Sequence, residues 1–332
     1  MFLALGLVVA VSAPVPPDPF EKQVAPVRLK AVAFLLKTGG AEGRWDKQWM
    51  NGVGGMEGGP DALTTLALLE AGVPAREPPV AAALARFDKA EPTRTYVVAL
   101  QTVALAKADA KKYAATIQRN ADWLVKAASR RDDRLTGWSY PFAPNQASDG
   151  SNTNYAVFGL SAAADAGAKV DPKVWAEVRE LYVRSKGGDG WSYSLSTDRP
   201  ASFTMTTAAL CGLLLTDKHL KKPDEKAAAA LKQGVADWMK MYPEAPVDWN
   251  KRGQQSQSSF YEWSDIARLG RLGAKLDRAD GTAIPWYRDG ATWLLNNQNA
   301  DGSWVSMQKD SLDSSPVITT SFALMFLGPP RK

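Results

Sequence analysis

The chain of 332 residues is 45% hydrophobic and 23% charged, with a formal net charge of +5, a balance that fits a globular chain able to bury a large core and excludes disorder. Its Lys and Arg residues are dispersed, with no block longer than pairs such as Arg130-Arg131 and Lys221-Lys222, so no nucleic-acid partner is expected. Cys211 is the only cysteine and His219 the only histidine, which excludes an internal disulfide and falls short of the set of ligands that a zinc site needs, so neither a metal nor a cofactor is expected.

The first thirteen residues, Met1 to Ala13, are apolar and end on small side chains, which fits a short export signal better than a spanning helix of about 20 residues. Four prolines between Pro14 and Pro19 add a stiff linker. Residues 1–20 are therefore read as signal and linker, and 21–328 as one domain exported to the periplasm or the extracellular space. The missing Lys or Arg before the apolar run, and Pro14 directly after Ala13, leave a cytoplasmic protein with a frayed terminus as the alternative.

Beyond the linker, one pattern recurs. Phe34 stands 11 residues before Trp45, Trp238 the same distance before Trp249, and Trp293 before Trp304. The later tryptophans at 138, 191, 249 and 304 are separated by 53, 58 and 55 residues. Between Trp45 and Trp138 there is room for a unit without the tryptophan, with helices expected over Val80 to Phe87 and over Tyr96 to Leu105. Each unit reads as an outer helix, a Gly-Trp turn and an inner helix; the inner helices are rich in Ala, Gly, Leu and Thr. The charged stretch Ser129 to Arg134 reads as a solvated loop. Thr153, Thr206 and Thr319 each lie 15 residues after a tryptophan, which puts them at one level. A period near 50 marks stacked supersecondary units that cannot bury their apolar faces alone, so about six helical hairpins are expected to close into a double ring.

Gly290, Trp293, Leu294, Gln298, Gly302 and Trp304 resemble the repeat of squalene cyclases and protein prenyltransferase β subunits. Lys30, Ala31, Phe34, Leu35, Gly43 and Trp45 match it too, with Gly39 where the repeat has Gln. The resemblance implies an all-α fold, an α/α toroid, in which Gln298 and Trp304 act as clamps between helices and not as catalysts. The stretches Ser151-Asn152-Thr153-Asn154-Tyr155-Ala156 and Thr320-Ser321-Phe322-Ala323-Leu324 are also similar to bacterial exported proteins that carry prenyltransferase and squalene-oxidase repeats.

The motifs behind the family's familiar activities are missing. The chain has no Asp-x-Asp-Asp acid motif, no zinc context around Cys211 or His219, no Cys-Gly-Glu-Gln stretch, and no residues left for a second helical domain. A mouth formed by the inner-helix starts is expected to be lined by Tyr96, Asn152, Asn154, Tyr155, Phe203, Thr206, Phe260, Tyr261, Trp263, Thr319 and Phe322, suited to a hydrophobic or sugar-like small molecule. Glu262, Asp265 and Asp149 are the candidate acids; Glu262 stands in an aromatic stretch, where a carboxyl is held protonated to higher pH, and an exposed or Arg268-paired carboxylate is the alternative. The leading expectation is a toroid that binds a ligand or a protein partner. A divergent terpenoid cyclase or prenyl-transferring enzyme is the second reading, and a polysaccharide lyase or glycosidase on an α/α ring is the third.

Overall fold

The computed structural model describes residues 19–45, 56–140, 147–243, 259–278, 280–306 and 315–328. The expectations for residues 1–18 and for Trp249 lie outside them. The described residues contain twelve helices: α1 Pro19–Gly39, α2 Gly59–Glu70, α3 Pro78–Lys89, α4 Thr95–Asp109, α5 Ala114–Ala127, α6 Gly150–Asp165, α7 Pro172–Ser185, α8 Phe203–Leu220, α9 Glu225–Met241, α10 Ser259–Arg271, α11 Trp286–Asn296 and α12 Pro316–Leu327. The fold is all-α, as the periodicity predicts, and the helices expected in the unit without a tryptophan are α3 and α4.

Odd- and even-numbered helices differ in how they bury themselves. On α5 the buried residues Ile117, Ala121 and Leu124 repeat at one face, the pattern of a helix with one side in water. Inner helix α12 is buried at every position from Val317 to Leu327, and α2 from Gly59 to Leu69. The even-numbered helices pack in chain order, α2 on α4, α4 on α6, α6 on α8, α8 on α10 and α10 on α12, and α12 returns to pack on α2. Thr64 and Ser321 share a hydrogen bond of 3.0 Å across that last seam. Arg28 on α1 donates to the carbonyl of Leu327 at 2.8 Å, tying the first outer helix to the last inner one.

The tryptophans join each outer helix to the inner helix that follows. The indole N–H of Trp45, Trp138, Trp191 and Trp304 donates to the carbonyls of Leu35, Leu124, Tyr182 and Leu294 at 2.9, 2.7, 2.8 and 3.0 Å. Their backbone amides reach the inner helix: Trp138 donates to Thr153 Oγ1 at 3.0 Å and Trp191 to Thr206 Oγ1 at 3.1 Å. A buried amide left without an acceptor would cost about 1–3 kcal/mol, so the threonine level is a clamp. In the last unit the acceptor is Thr320, at 3.1 Å, while Thr319 instead donates to the carbonyl of Trp304. In the first unit Asp61 accepts from Trp45 at 2.6 Å. Gly190 is required here: its φ is 125°, and a Cβ would stand 2.3 Å from Thr206 Oγ1. Gln298 donates to Val27 at 2.9 Å and to Gly302 at 3.0 Å, linking α11 to α1. Gly39 replaces the glutamine because the Trp45 ring occupies the space that any side chain would fill, 2.4 Å from a Cβ.

One local expectation is corrected. Ser129 to Arg134 is not a plain loop: Ser129–Arg131 (β1) pairs antiparallel with Arg134–Gly137 (β2). Asp132 and Asp133 turn the hairpin with φ of 51° and 61°, the left-handed pair that a tight two-residue hairpin turn demands and that Asp tolerates.

Candidate functional site

Of the eleven residues expected at one mouth, Thr206 and Thr319 are engaged with the tryptophan turns and Asn152 with Asp149, and the other eight divide into two groups. Tyr96, Asn154, Tyr155, Tyr261 and Phe322 converge. Ring centroids of Tyr96 and Tyr155 are 4.4 Å apart, Tyr155 and Tyr261 5.7 Å, and Tyr261 and Phe322 5.9 Å. Phe203, Phe260 and Trp263 turn the other way, into the seam between inner and outer helices: Phe203 stacks on Trp238 at 5.1 Å, and both Phe260 and Trp263 lie against Trp293 at 5.9 and 6.0 Å. Successive residues of an inner helix point in different directions, so a run such as Phe260-Tyr261-Glu262-Trp263 cannot all face the axis.

The three candidate acids have distinct surroundings. Asp149 caps α6: its carboxylate accepts from the Asn152 amide, the Asn152 side chain and the Ser151 hydroxyl, each at 2.8 Å. That is the work of a helix N-cap. Glu262 is buried and accepts from Thr204 at 2.5 Å. Asp265 is fully buried beside the tyrosines, where it accepts from Asn154 Nδ2 at 3.0 Å and pairs with Arg268 at 3.0 Å. Asn154 Nδ2 also lies 3.0 Å from the Tyr261 hydroxyl, and its Oδ1 accepts from Arg268 at 3.1 Å. The guanidinium lies over Phe158 at 4.0 Å and Tyr155 at 5.6 Å. Burial raises the Asp265 carboxyl to about 6, and Arg268, Tyr261 and Asn154 only partly offset it. Burial works against the Arg268 charge, but Asp265 beside it holds the guanidinium above its ordinary value. Burial also pushes the Cys211 thiol up, which leaves it unreactive.

A cavity of about 470 Å³ opens on the other side of this network, where the inner helices end. Glu70 of α2, Ala106 and Lys107 of α4 with Ala110 just after it, Asp165 of α6 with Ala166 just after it, Lys218 of α8, Arg271 of α10 and Gly328 after α12 all line it. Phe158 and Arg268 lie deeper, among apolar walls of Val103, Leu215, Leu272 and Met325. From Phe158 to Asp165 a helix rises about 10 Å, so the floor sits well below the rim. Six helix C-termini meet at this rim, each carrying about half a negative charge. The cations answer it: Arg271 donates to the carbonyls of Met325, Phe326 and Gly328 at 2.9, 2.9 and 3.0 Å, and Lys218 pairs with Asp165 at 2.5 Å.

The sequence reading missed this cavity and the side chains that line it, among them Ser161, Lys107, Lys218 and Arg271. A signal was present in Ala106 and Ala110 and in Ala162 and Ala166, small residues one helical turn apart at the ends of α4 and α6, where large ones would close the space. Among the described residues no group of three or more His, Cys, Asp or Glu side chains is placed to hold a metal ion, and no helix is long and apolar enough to cross a membrane. No family model matches the chain, and no curated protein matches it.

Proposed function

We propose that this chain is an α/α toroid of the squalene cyclase and prenyltransferase type that serves as a binding module, and that it seats a small, mainly apolar ligand in the cavity at the C-terminal ends of its inner helices. The observation that carries the reading is the cavity itself: a volume of about 470 Å³ ringed by all six inner helices lies within the range of small-molecule sites, which are mostly apolar with a few fixed polar groups. The engagement of Asp149 as a helix cap and of Asp265 with Arg268 supports binding over acid catalysis. Export of the protein, read from residues 1–13, belongs to the same proposal.

The test is mass spectrometry of small molecules that copurify with the protein from its own cell, alongside an Ala162→Trp variant that fills the cavity. A compound held by the wild type and lost from the variant supports the reading; a compound held equally by both, or by neither, sinks it. One observation favours a second reading, an isoprenoid cyclase or transferase with a divergent acid: Asp265 is a buried carboxyl raised to about 6 within a cluster of tyrosines. Asp265→Asn should then abolish turnover of a polyprenyl substrate while leaving ligand retention intact.

A further inference from the structure

Ser161 in the cavity wall and His219, which packs behind it on Trp175 and does not line the cavity, have the geometry of a nucleophile and its base, an inference that rests on the cavity being a ligand seat. Ser161 on α6 lines the cavity, and its hydroxyl lies 2.8 Å from Nε2 of His219 near the end of α8. Trp175 stacks on the imidazole with centroids 4.3 Å apart and 17° between planes, which fixes the ring. A base must be held within hydrogen-bond reach of the proton it takes, and a third group usually orients it. Here the orienting group is an aromatic face. Burial lowers the imidazole pKa, against the pull of Asp165 and with the push of Lys218 and Lys221, so the ring is neutral near pH 7, and the tautomer that carries its proton on Nδ1 accepts at Nε2. Lys107 and Lys218 line the same cavity, Lys218 paired with Asp165.

We propose that Ser161 and His219 are a nucleophile and general base that cleave small carboxylic esters bound in this cavity. Ser161 Oγ attacks the ester carbonyl carbon as its hydrogen passes to His219 Nε2. The carbonyl pair moves onto oxygen. Collapse breaks the bond to the alcohol oxygen, which leaves with the proton from His219, and the acyl group stays on Ser161. Water then attacks the acyl carbon while His219 takes its proton; collapse returns that proton to Ser161 Oγ and frees the carboxylic acid. Water is the only co-reactant, and no electrons are gained or lost.

The experiment treats the full chain with an alkyl fluorophosphonate and locates the adduct by peptide mass spectrometry. In parallel, p-nitrophenyl butyrate reports turnover, and calorimetry measures binding of benzyl propyl ketone, an isostere of the phenyl ester that cannot be cleaved. The proposal expects an adduct on Ser161 of the folded wild type, none on Ser161→Ala, and labelling slowed about 100-fold or more in His219→Gln. The labelling rate should fall with decreasing pH through a value below the ordinary histidine 6.5, a dependence that a merely structural hydrogen bond would not produce. Because the adduct is read on the wild type, the outcome does not hang on either variant folding. Ketone binding without an adduct overturns the Ser161–His219 pair and leaves the cavity reading standing; neither binding nor adduct overturns both. An adduct on another residue, or one whose rate His219→Gln does not change, also overturns the pair.

Discussion

The two ends of the inner helices solve opposite problems. In the first half of these helices the axis is filled: Tyr155 and Tyr261 are buried, and Asn154 closes over Asp265, whose partner Arg268 reaches the cavity wall. At the other end the side chains shrink to Ala106, Ala110, Ala162 and Ala166, and a cavity remains. Six helices of similar length cannot fill their common axis equally along its whole length unless large side chains occur at every level, because packing density leaves little room for compromise. The difference teaches where stability and where ligand chemistry can reside: at the filled level each atom is committed to packing, whereas at the open level side chains are available.

Four substitutions sharpen that contrast. The largest effect is expected from Arg268→Met, which leaves Asp265 charged and buried without its cation; a loss of about 3–5 kcal/mol near neutral pH follows, measured by urea unfolding. The same variant carries a pH signature. With Arg268 in place the carboxyl of Asp265 already has its folded pKa raised from 3.8 to about 6, and removing that cation raises it further, so the folded state binds the proton more tightly than the unfolded one. Its contribution is therefore fully favourable below the unfolded 3.8 and is lost as pH rises through the folded value, about 6 in the wild type and higher in the variant. Unfolding measured at about pH 5 should show a smaller penalty for Arg268→Met than at about pH 8, because the neutral acid needs no partner.

Phe322→Ala, also at the filled level, removes a ring that packs on Tyr261 and should cost about 3–5 kcal/mol, seen as a lowered urea midpoint. Thr206→Val keeps the shape but removes the acceptor of the Trp191 amide, for about 1–3 kcal/mol. At the open level, Ala162→Leu enters existing space and should change stability by less than about 1 kcal/mol while displacing any copurifying compound. A penalty for Ala162→Leu as large as that for Phe322→Ala would erase the distinction between the two levels.

Much of this architecture is legible in the residues. The tryptophan spacing marks the hairpins because each Gly-Trp turn presents one indole N–H to an outer-helix carbonyl and one amide to an inner-helix side chain 15 or 16 residues on. The unit that lacks a tryptophan is legible from the apolar runs of α3 and α4 alone. The threonine level is legible as a position but not as a role, since one residue of slippage passes the acceptor from Thr319 to Thr320 in the last unit. The facing of Phe203, Phe260 and Trp263 is less legible: inner helices are apolar all round, so periodicity carries no information on which side meets the axis. The hairpin at Asp132-Asp133 was hidden because neither residue commonly takes positive φ. The cavity was hidden for a different reason, as it is made of alanines whose meaning depends on six helices ending together.

The return of α12 onto α2 is the feature on which the cavity depends, and a cysteine pair across that seam tests it most directly. Thr64 and Ser321 lie 257 residues apart in sequence with their hydroxyls 3.0 Å apart. In a Thr64→Cys, Ser321→Cys double variant, oxidation of the folded monomer should join the two positions in an intramolecular disulfide, seen as one linked peptide pair by mass spectrometry. Both cysteines remaining free in the folded monomer, or linking only between molecules, would contradict the closed order of inner helices.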